Sequence, residues 1–334
     1  MLPADARILV IAVARIGDTL LVTPGLRALR EAAPQGRLTM LAHPGRVPVL
    51  SGLSFVDVLG TITKRSAFWR ARLLAERHDV AFVYGRDAAL LRYALRCARE
   101  AVVFDYPELS AVRGPVVRVS LPLESLHAVR ERLLLPEARG VRARDLRLAY
   151  SVTGAETAAA IARVAALAGP QRPLVGLLMQ SFATKAHRDW PAGNFAAFAA
   201  RVAERWPQAH FLLFGDAAGA RAAQPVAEAL GSRCSLVAGT LALRESAALI
   251  AQLDLYVGVD TGPTHLAGAL GVPMVALYHW AYPGRCLAPL DHPACRVIEH
   301  PATGRDSGGD MSAIPVEAVY EAAEALLAAR MPGR

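Results

Sequence analysis

Lysine is almost missing from this chain of 334 residues: Lys64 and Lys185 are the two lysines among 37 basic side chains. That bias, like the abundance of alanine, reads as genome composition and carries little function. Cysteine is scarce too. Cys97, Cys234, Cys286 and Cys295 form no C-x-x-C pair, which excludes a disulfide framework or a zinc site and fits a reducing compartment. Long apolar runs are also lacking. Ile8 to Ala14 is too short to span a bilayer and is followed at once by Arg15 and Asp18, so it is neither a signal peptide nor an anchor. No other stretch reaches about 18 uncharged apolar residues. We expect a cytoplasmic protein, at most peripheral to a membrane face.

Aromatic residues make up 6% of the chain, with no RNP-like aromatic strand, zinc finger or recognition-helix signature. A G-x-G-x-x-G fingerprint is missing as well, which argues against a nicotinamide cofactor and a dehydrogenase. What is present is a hydrophobic fraction of 54%, ample for one large or two ordinary domains. The net charge of +8 is unevenly placed. Residues 1–170 hold 24 Lys+Arg against 15 Asp+Glu, whereas residues 171–334 hold 13 against 14. The two halves are therefore expected to have different partners, the first one anionic.

Short β-rich runs alternate with helical ones, the pattern of a parallel α/β sheet. Strands are expected at Arg7–Val13, Leu38–Ala42, Val56–Thr61, Val80–Val83, Ala101–Phe104 and Leu146–Tyr150. Helices are expected at Thr19–Ala32, Ser66–Glu76, Ala88–Arg99 and Leu126–Leu135. An Ala-rich helix between Ser151 and Pro173 reads as a linker. The pattern then restarts, with strands at Leu174–Leu178, His210–Phe214, Ser235–Ala238, Leu255–Val259 and Met274–Tyr278. Helices fall between them at Asn194–Arg205, Ala217–Leu230, Leu243–Gln252 and Pro263–Leu270. An irregular stretch, 281–310, precedes a last helix at Pro315–Ala329. Two Rossmann-like domains facing across a cleft are implied, with ligands outside the carboxyl ends of strands.

Three strand-end loops carry candidate chemistry. In Ala14-Arg15-Ile16-Gly17-Asp18-Thr19-Leu20, Asp18 suits either a helix N-cap or a general base that draws a proton from a hydroxyl. In Val257-Gly258-Val259-Asp260-Thr261-Gly262-Pro263-Thr264-His265, a proline at the first helical position leaves free N–H groups and a positive dipole end for a phosphate. Thr261 and Thr264 add hydroxyls, Asp260 suits sugar hydroxyls, and His265 either reaches a phosphate or packs. In the loop Ser181 to Pro191, Thr184, Lys185 and Arg188 concentrate charge in a half short of cations. Lys185 or Arg188 would neutralise a leaving diphosphate without a metal ion. A segment Lys64 to Leu74 mixes cations with Phe68 and Trp69, suiting an anionic membrane surface or an ordinary amphipathic helix.

These loops, in this order, resemble glycosyltransferase family 9, the heptosyltransferases. The similarity rests on R-I-G-D-T-L after an I-L-V-I strand, T-P-G-L-R-A-L-R, R-D-W-P, and V-D-T-G-P-T-H-L-A-G-A-L-G-V-P. Leu126-His127-Ala128-Val129-Arg130 and Asp310-Met311-Ser312-Ala313-Ile314 match more weakly. Two features depart from the family pattern. Arg188 stands where a lysine is usual, and Tyr278-His279-Trp280-Ala281-Tyr282-Pro283 replaces a G-P-T-x-P loop.

The resemblance implies a GT-B fold with an N-terminal acceptor domain (1–165), a nucleotide-sugar domain (171–312) and a terminal helix (313–334) packing back on the first. It implies inverting transfer of heptose from ADP-heptose to a lipopolysaccharide-type acceptor, with Asp18 as base and no metal or other cofactor. Asp260, Thr261 and Gly262 would form the donor loop. Asp216 would lie near the ribose and Leu241 near the adenine. Domain closure would bring the two halves of the site together. Arg15, Arg46 and Arg86, with Arg92, would meet an anionic glycolipid or glycan. Transfer of another nucleotide sugar to a different glycan or protein, and nucleotide-sugar binding without catalysis, remain the competing readings.

Overall fold

The computed structural model describes residues 2–70, 77–181, 183–301 and 311–331, in two units, Met1–Ser151 and Val152–Arg334. The first unit runs β1 (Arg7–Ala12), α1 (Ile16–Leu20), α2 (Thr23–Ala32), β2 (Arg37–Ala42), α3 (Val47–Leu50), β3 (Val58–Thr61) and α4 (Lys64–Arg70). It continues with β4 (His78–Tyr84), α5 (Ala88–Cys97), β5 (Ala98–Phe104), β6 (Val116–Val119) and α6 (Ala128–Glu137). Its strands pair in parallel in the order β3-β2-β1-β4-β5-β6. The central strands are near-continuous apolar runs because helices cover both faces of such a sheet. Leu9, Ile11, Ala81, Val83 and Val103 accordingly share a core with Leu90, Leu91 and Ala94 of α5.

The second unit runs α7 (Gly154–Ala168), β7 (Leu174–Leu178), α8 (Ala192–Arg205), β8 (His210–Phe214), α9 (Ala217–Leu230), β9 (Cys234–Leu236) and α10 (Leu243–Ile250). It ends with β10 (Leu255–Val259), α11 (Gly262–Ala269), β11 (Met274–Tyr278), α12 (Gly284–Leu287), β12 (Cys295–Glu299) and α13 (Val316–Arg330). The strand order is β12-β11-β10-β7-β8-β9, again all parallel. Counted from its own first strand this is the same order as in the first unit, so one Rossmann-like topology occurs twice.

Several expectations are corrected. The helix expected at Thr19–Ala32 is broken into α1 and α2, because Pro24 has no N–H to continue the ladder and Thr23 Oγ1 donates to the Leu20 carbonyl instead, at 2.7 Å. Leu146–Tyr150 joins no strand pairing; Ala149 N donates instead to Thr23 Oγ1 of α2 at 2.9 Å. β6 was not expected, nor was β12, which lies at a sheet edge and largely exposed, so it carries no apolar alternation. The stretch read as a linker is α7, which packs on α10 within the second unit. Its Thr153–Glu156 capping box is held by Arg244, which donates to both Glu156 oxygens. The terminal helix α13 packs on α8 and on β10, β11 and β12. Val319, Tyr320, Ala323 and Leu327 complete the second core there, so the apolar face of the helix is used within its own unit. Residues 71–76 of the expected helix at Ser66–Glu76, Phe182 of the cationic loop, 302–310 of the irregular stretch with Asp310, and the last three residues lie outside the described residues.

Candidate active site

Strand order reverses once in each sheet, between β1 and β4 and between β7 and β10. Loops leaving the carboxyl ends of those pairs run in opposite directions, which is where open α/β sheets bind ligands. In the second unit the loop after β7 carries Arg188 and the loop after β10 carries Asp260. That is why residues 72 positions apart meet.

The β7 loop is pinned at several points. The Asp189 carboxylate accepts from Ser181 N at 2.6 Å, and Ser181 Oγ donates to the Lys185 carbonyl at 2.7 Å. Burial pushes the Asp189 carboxyl above its usual range, against the lowering effect of the Ser181 hydrogen bonds. Trp190 is fully buried, its ring edge-on to Phe195, and its Nε1 donates to the Ile314 carbonyl at 3.0 Å. These ties present Arg188 inward. Its Nη1 donates to Asp260 Oδ2 at 2.7 Å, with side chains 8% and 5% exposed. The other carboxylate oxygen of Asp260 lies 3.6 Å from His265 Nε2.

Asp260 therefore serves a buried ion pair. Thr264 is fully buried, donating to the Val259 carbonyl and sitting 3.0 Å from Tyr256 Oη. Gly258 makes that contact possible, since a Cβ there would lie 2.7 Å from the Tyr256 hydroxyl. α11 begins at Gly262, one residue before Pro263, with Thr261 at the cap position and no side-chain cap. The orphan backbone donors of this helix start are what remain for an anion. Burial pushes the Tyr278 phenol well above its usual range, with Asp260 adding to the effect, and its hydroxyl has no hydrogen-bond partner among the described residues.

Around this pair, Lys185 is half-buried and Thr184 exposed. Tyr282 covers both cations: the Arg188 Cζ lies 3.5 Å and the Lys185 Nζ 5.0 Å from its ring centroid. Asp216 caps α9, its Oδ1 accepting from Ala218 N and Gly219 N at 2.9 Å each, and is exposed at the end of β8. Leu241 lies half-buried just before α10.

In the first unit Asp18 is the third residue of α1 and not its N-cap, a position held by Arg15. Its Oδ1 accepts from Arg132 Nη2 of α6 at 2.7 Å. Arg15 is exposed, as is Arg92. Arg46 is half-buried and donates to the Gly45 carbonyl at 3.1 Å. Arg86 pairs with Glu108 at 3.3 Å and lies over the Tyr106 ring, so it is already engaged. Sequence reading missed Arg132 and did not assign a role to Tyr282. The first lies beyond the matched Leu126–Arg130 segment, and the second falls where the family pattern breaks. Among the described residues no group of three or more His, Cys, Asp and Glu is placed to hold a metal ion.

Over 132 residues the chain is 35% identical to lipopolysaccharide heptosyltransferase 2 of Salmonella typhimurium, spanning 38% of this chain and 36% of that relative. A family 9 glycosyl transferase structure from Veillonella parvula superposes with a TM-score of 0.81 at 22% identity, covering 97% of this chain and 98% of the other. The E. coli ADP-heptose lps heptosyltransferase II structure gives 0.79 at 23%, covering 97% and 99%. At those identities the two structures establish the GT-B fold. Residues 108–302 match glycosyltransferase family 9 (heptosyltransferase) as a family, and more than half of the sequence lies in that match. This chain belongs to glycosyltransferase family 9, the heptosyltransferases.

Proposed function

We propose that the protein transfers heptose, with inversion, from ADP-heptose to a lipopolysaccharide-core acceptor on the cytoplasmic side of the inner membrane. The observation that carries this is the buried Arg188–Asp260 pair at the start of α11, beside Lys185. It gathers cationic donors and free helix N–H groups at one strand-end position, the elements that a departing diphosphate needs. Structures of a heptosyltransferase with ADP are among those sharing the fold, which supports an adenine nucleotide as the leaving group.

In this reading Asp18 takes the proton of the acceptor hydroxyl, whose oxygen attacks the anomeric carbon from the face opposite the diphosphate. The bond from that carbon to the β-phosphate oxygen breaks, and ADP leaves with the electron pair. Arg188, Lys185 and the helix start neutralise the developing charge without a metal ion. Thr261 and Gly262 line the diphosphate, Asp216 the ribose and Leu241 the adenine. The acceptor side rests on the positive excess of the first unit. Within it, α4 places Phe68 and Trp69, 52% and 63% exposed, among Lys64, Arg65 and Arg70 with no acidic residue in the helix. That combination suits the anionic surface in which a glycolipid acceptor sits.

The test is release of ADP from ADP-heptose in the presence of a heptose-deficient glycolipid. Turnover that disappears in Asp18→Ala supports the assignment; full activity of that variant removes Asp18 as the base. A binding panel of ADP-, GDP- and UDP-sugars tests the nucleotide, and stabilisation by GDP or UDP compounds alone refutes the adenine reading.

A further inference from the structure

The loop 278–282, where this chain departs from its family, projects an aromatic ring onto the very cations assigned to the leaving group. Tyr282 is 37% exposed, yet its ring centroid is 3.5 Å from Arg188 Cζ and 5.0 Å from Lys185 Nζ. The loop that carries it is fastened at both ends. Tyr282 N donates to the His279 carbonyl at 2.9 Å, and Ala281 N to His279 Nδ1 at 3.1 Å. Beyond Pro283, Gly284 lets the chain press on the sheet, because a Cβ there would lie 2.4 Å from Val297 Cγ1. Arg285 N then donates to Glu299 Oε1 at 3.2 Å.

A guanidinium donates hydrogen bonds in its plane, whereas an aromatic ring engages its face. Stacking therefore orients Arg188 without consuming a donor. Nη1 is committed to Asp260, while Nε is buried and has no hydrogen-bond partner among the described residues. An unpartnered donor on a side chain this buried points to an anionic oxygen as its missing acceptor.

We propose that Tyr282 is a positioning residue: stacked on Arg188 and within reach of Lys185, it holds their donors toward the diphosphate of the nucleotide sugar. This rests on the reading of Arg188 as a diphosphate ligand. The planar guanidinium of Arg188 can stack on the ring in this way.

The test measures ADP affinity by titration calorimetry, and ADP release from ADP-heptose, for Tyr282→Leu, Tyr282→Phe, Arg188→Ala and the Tyr282→Leu/Arg188→Ala pair. Tyr282→Leu should weaken ADP binding about tenfold, Tyr282→Phe should restore it, and the effect of Tyr282→Leu should shrink once Arg188 is gone, leaving only its hold on Lys185. An undiminished effect of Tyr282→Leu in the Arg188→Ala background, or wild-type affinity in Tyr282→Leu, overturns the inference while leaving Arg188 in place. Wild-type ADP affinity and turnover in Arg188→Ala instead refute the diphosphate reading and this inference with it. Tyr282→Gln serves as a second stacking-deficient variant should the leucine variant fold poorly.

Discussion

The carboxylate of Asp18, in the first unit, accepts a hydrogen bond from Arg132 of α6 at 2.7 Å, across 114 residues of sequence. Arg132 is itself placed by two further contacts: it donates to the Ala128 carbonyl at 2.9 Å, and its own carbonyl accepts from Tyr84 Oη at 3.2 Å. One oxygen of the Asp18 carboxylate, Oδ1, is thus anchored by Arg132. A misdirected base loses rate through orientation, for which small displacements suffice. Arg132→Met should therefore lower kcat about tenfold or more with little change in the KM for the donor. Steady-state ADP release checks this; an unchanged kcat would show that Arg132 does not orient the base.

The Arg188–Asp260 pair makes a stability prediction that differs from its functional one. Removing one partner of a buried pair strands the other charge, at a cost of about 3–5 kcal/mol. Asp260→Ala should thus destabilise the protein by about that amount in chemical denaturation. The double replacement Arg188→Met/Asp260→Leu should recover most of the loss, because apolar residues of similar volume need no partner. It should nevertheless remain inactive. Recovery of turnover along with stability would contradict a role for Arg188 in the reaction.

Acid sensitivity is expected at the α7–α10 contact. Hydrogen bonds from Arg244 and Thr153 hold the Glu156 carboxyl at about 2, below the usual glutamate range. A depressed folded value stabilises the native state above the unfolded pKa, near about 4.3. That contribution is lost as pH falls through about 2. Glu156→Gln should therefore be less stable than the parent at neutral pH, with the difference shrinking steadily below about pH 4. Urea denaturation across that range measures it; a pH-independent gap would mean that the carboxylate charge contributes nothing.

The exposed pair on α4 predicts a salt-sensitive affinity for anionic vesicles. Replacing Phe68 and Trp69 with serine should reduce co-sedimentation with phosphatidylglycerol-containing vesicles without changing turnover on a detergent-dispersed acceptor. No binding at low ionic strength by the unaltered protein would remove α4 as a membrane contact.

Much of the fold is legible in the amino-acid order because strands buried on both faces must be continuous apolar runs. Arg7–Ala12, Leu174–Leu178 and Leu255–Val259 are of this kind and emerge almost to the residue. Elements without that signature are not legible. β12 is an exposed edge, β6 is four half-buried residues, and Leu146–Tyr150 has strand-like composition but pairs with no strand, its Ala149 N donating to Thr23. At the site, the residue types at Asp18, Arg188 and Asp260 mark chemistry because each follows a strand end, where a parallel sheet exposes its loops.

The scarcity of lysine said nothing about where charge would matter, and the tertiary structure decided that. Sequence alone determined the repeated βα pattern, the positive first half and the cationic loop in an otherwise neutral second half, all consequences of local composition and periodicity. Which groups the site spends on one another was set by chain reversal at the β7–β10 and β1–β4 switch points. Asp260 pairs with Arg188, Thr264 turns into the core, Arg132 reaches Asp18, and Tyr282 lies on two cations. Such pairings depend on strand order and burial, because a charge removed from water takes the partner that packing brings within reach.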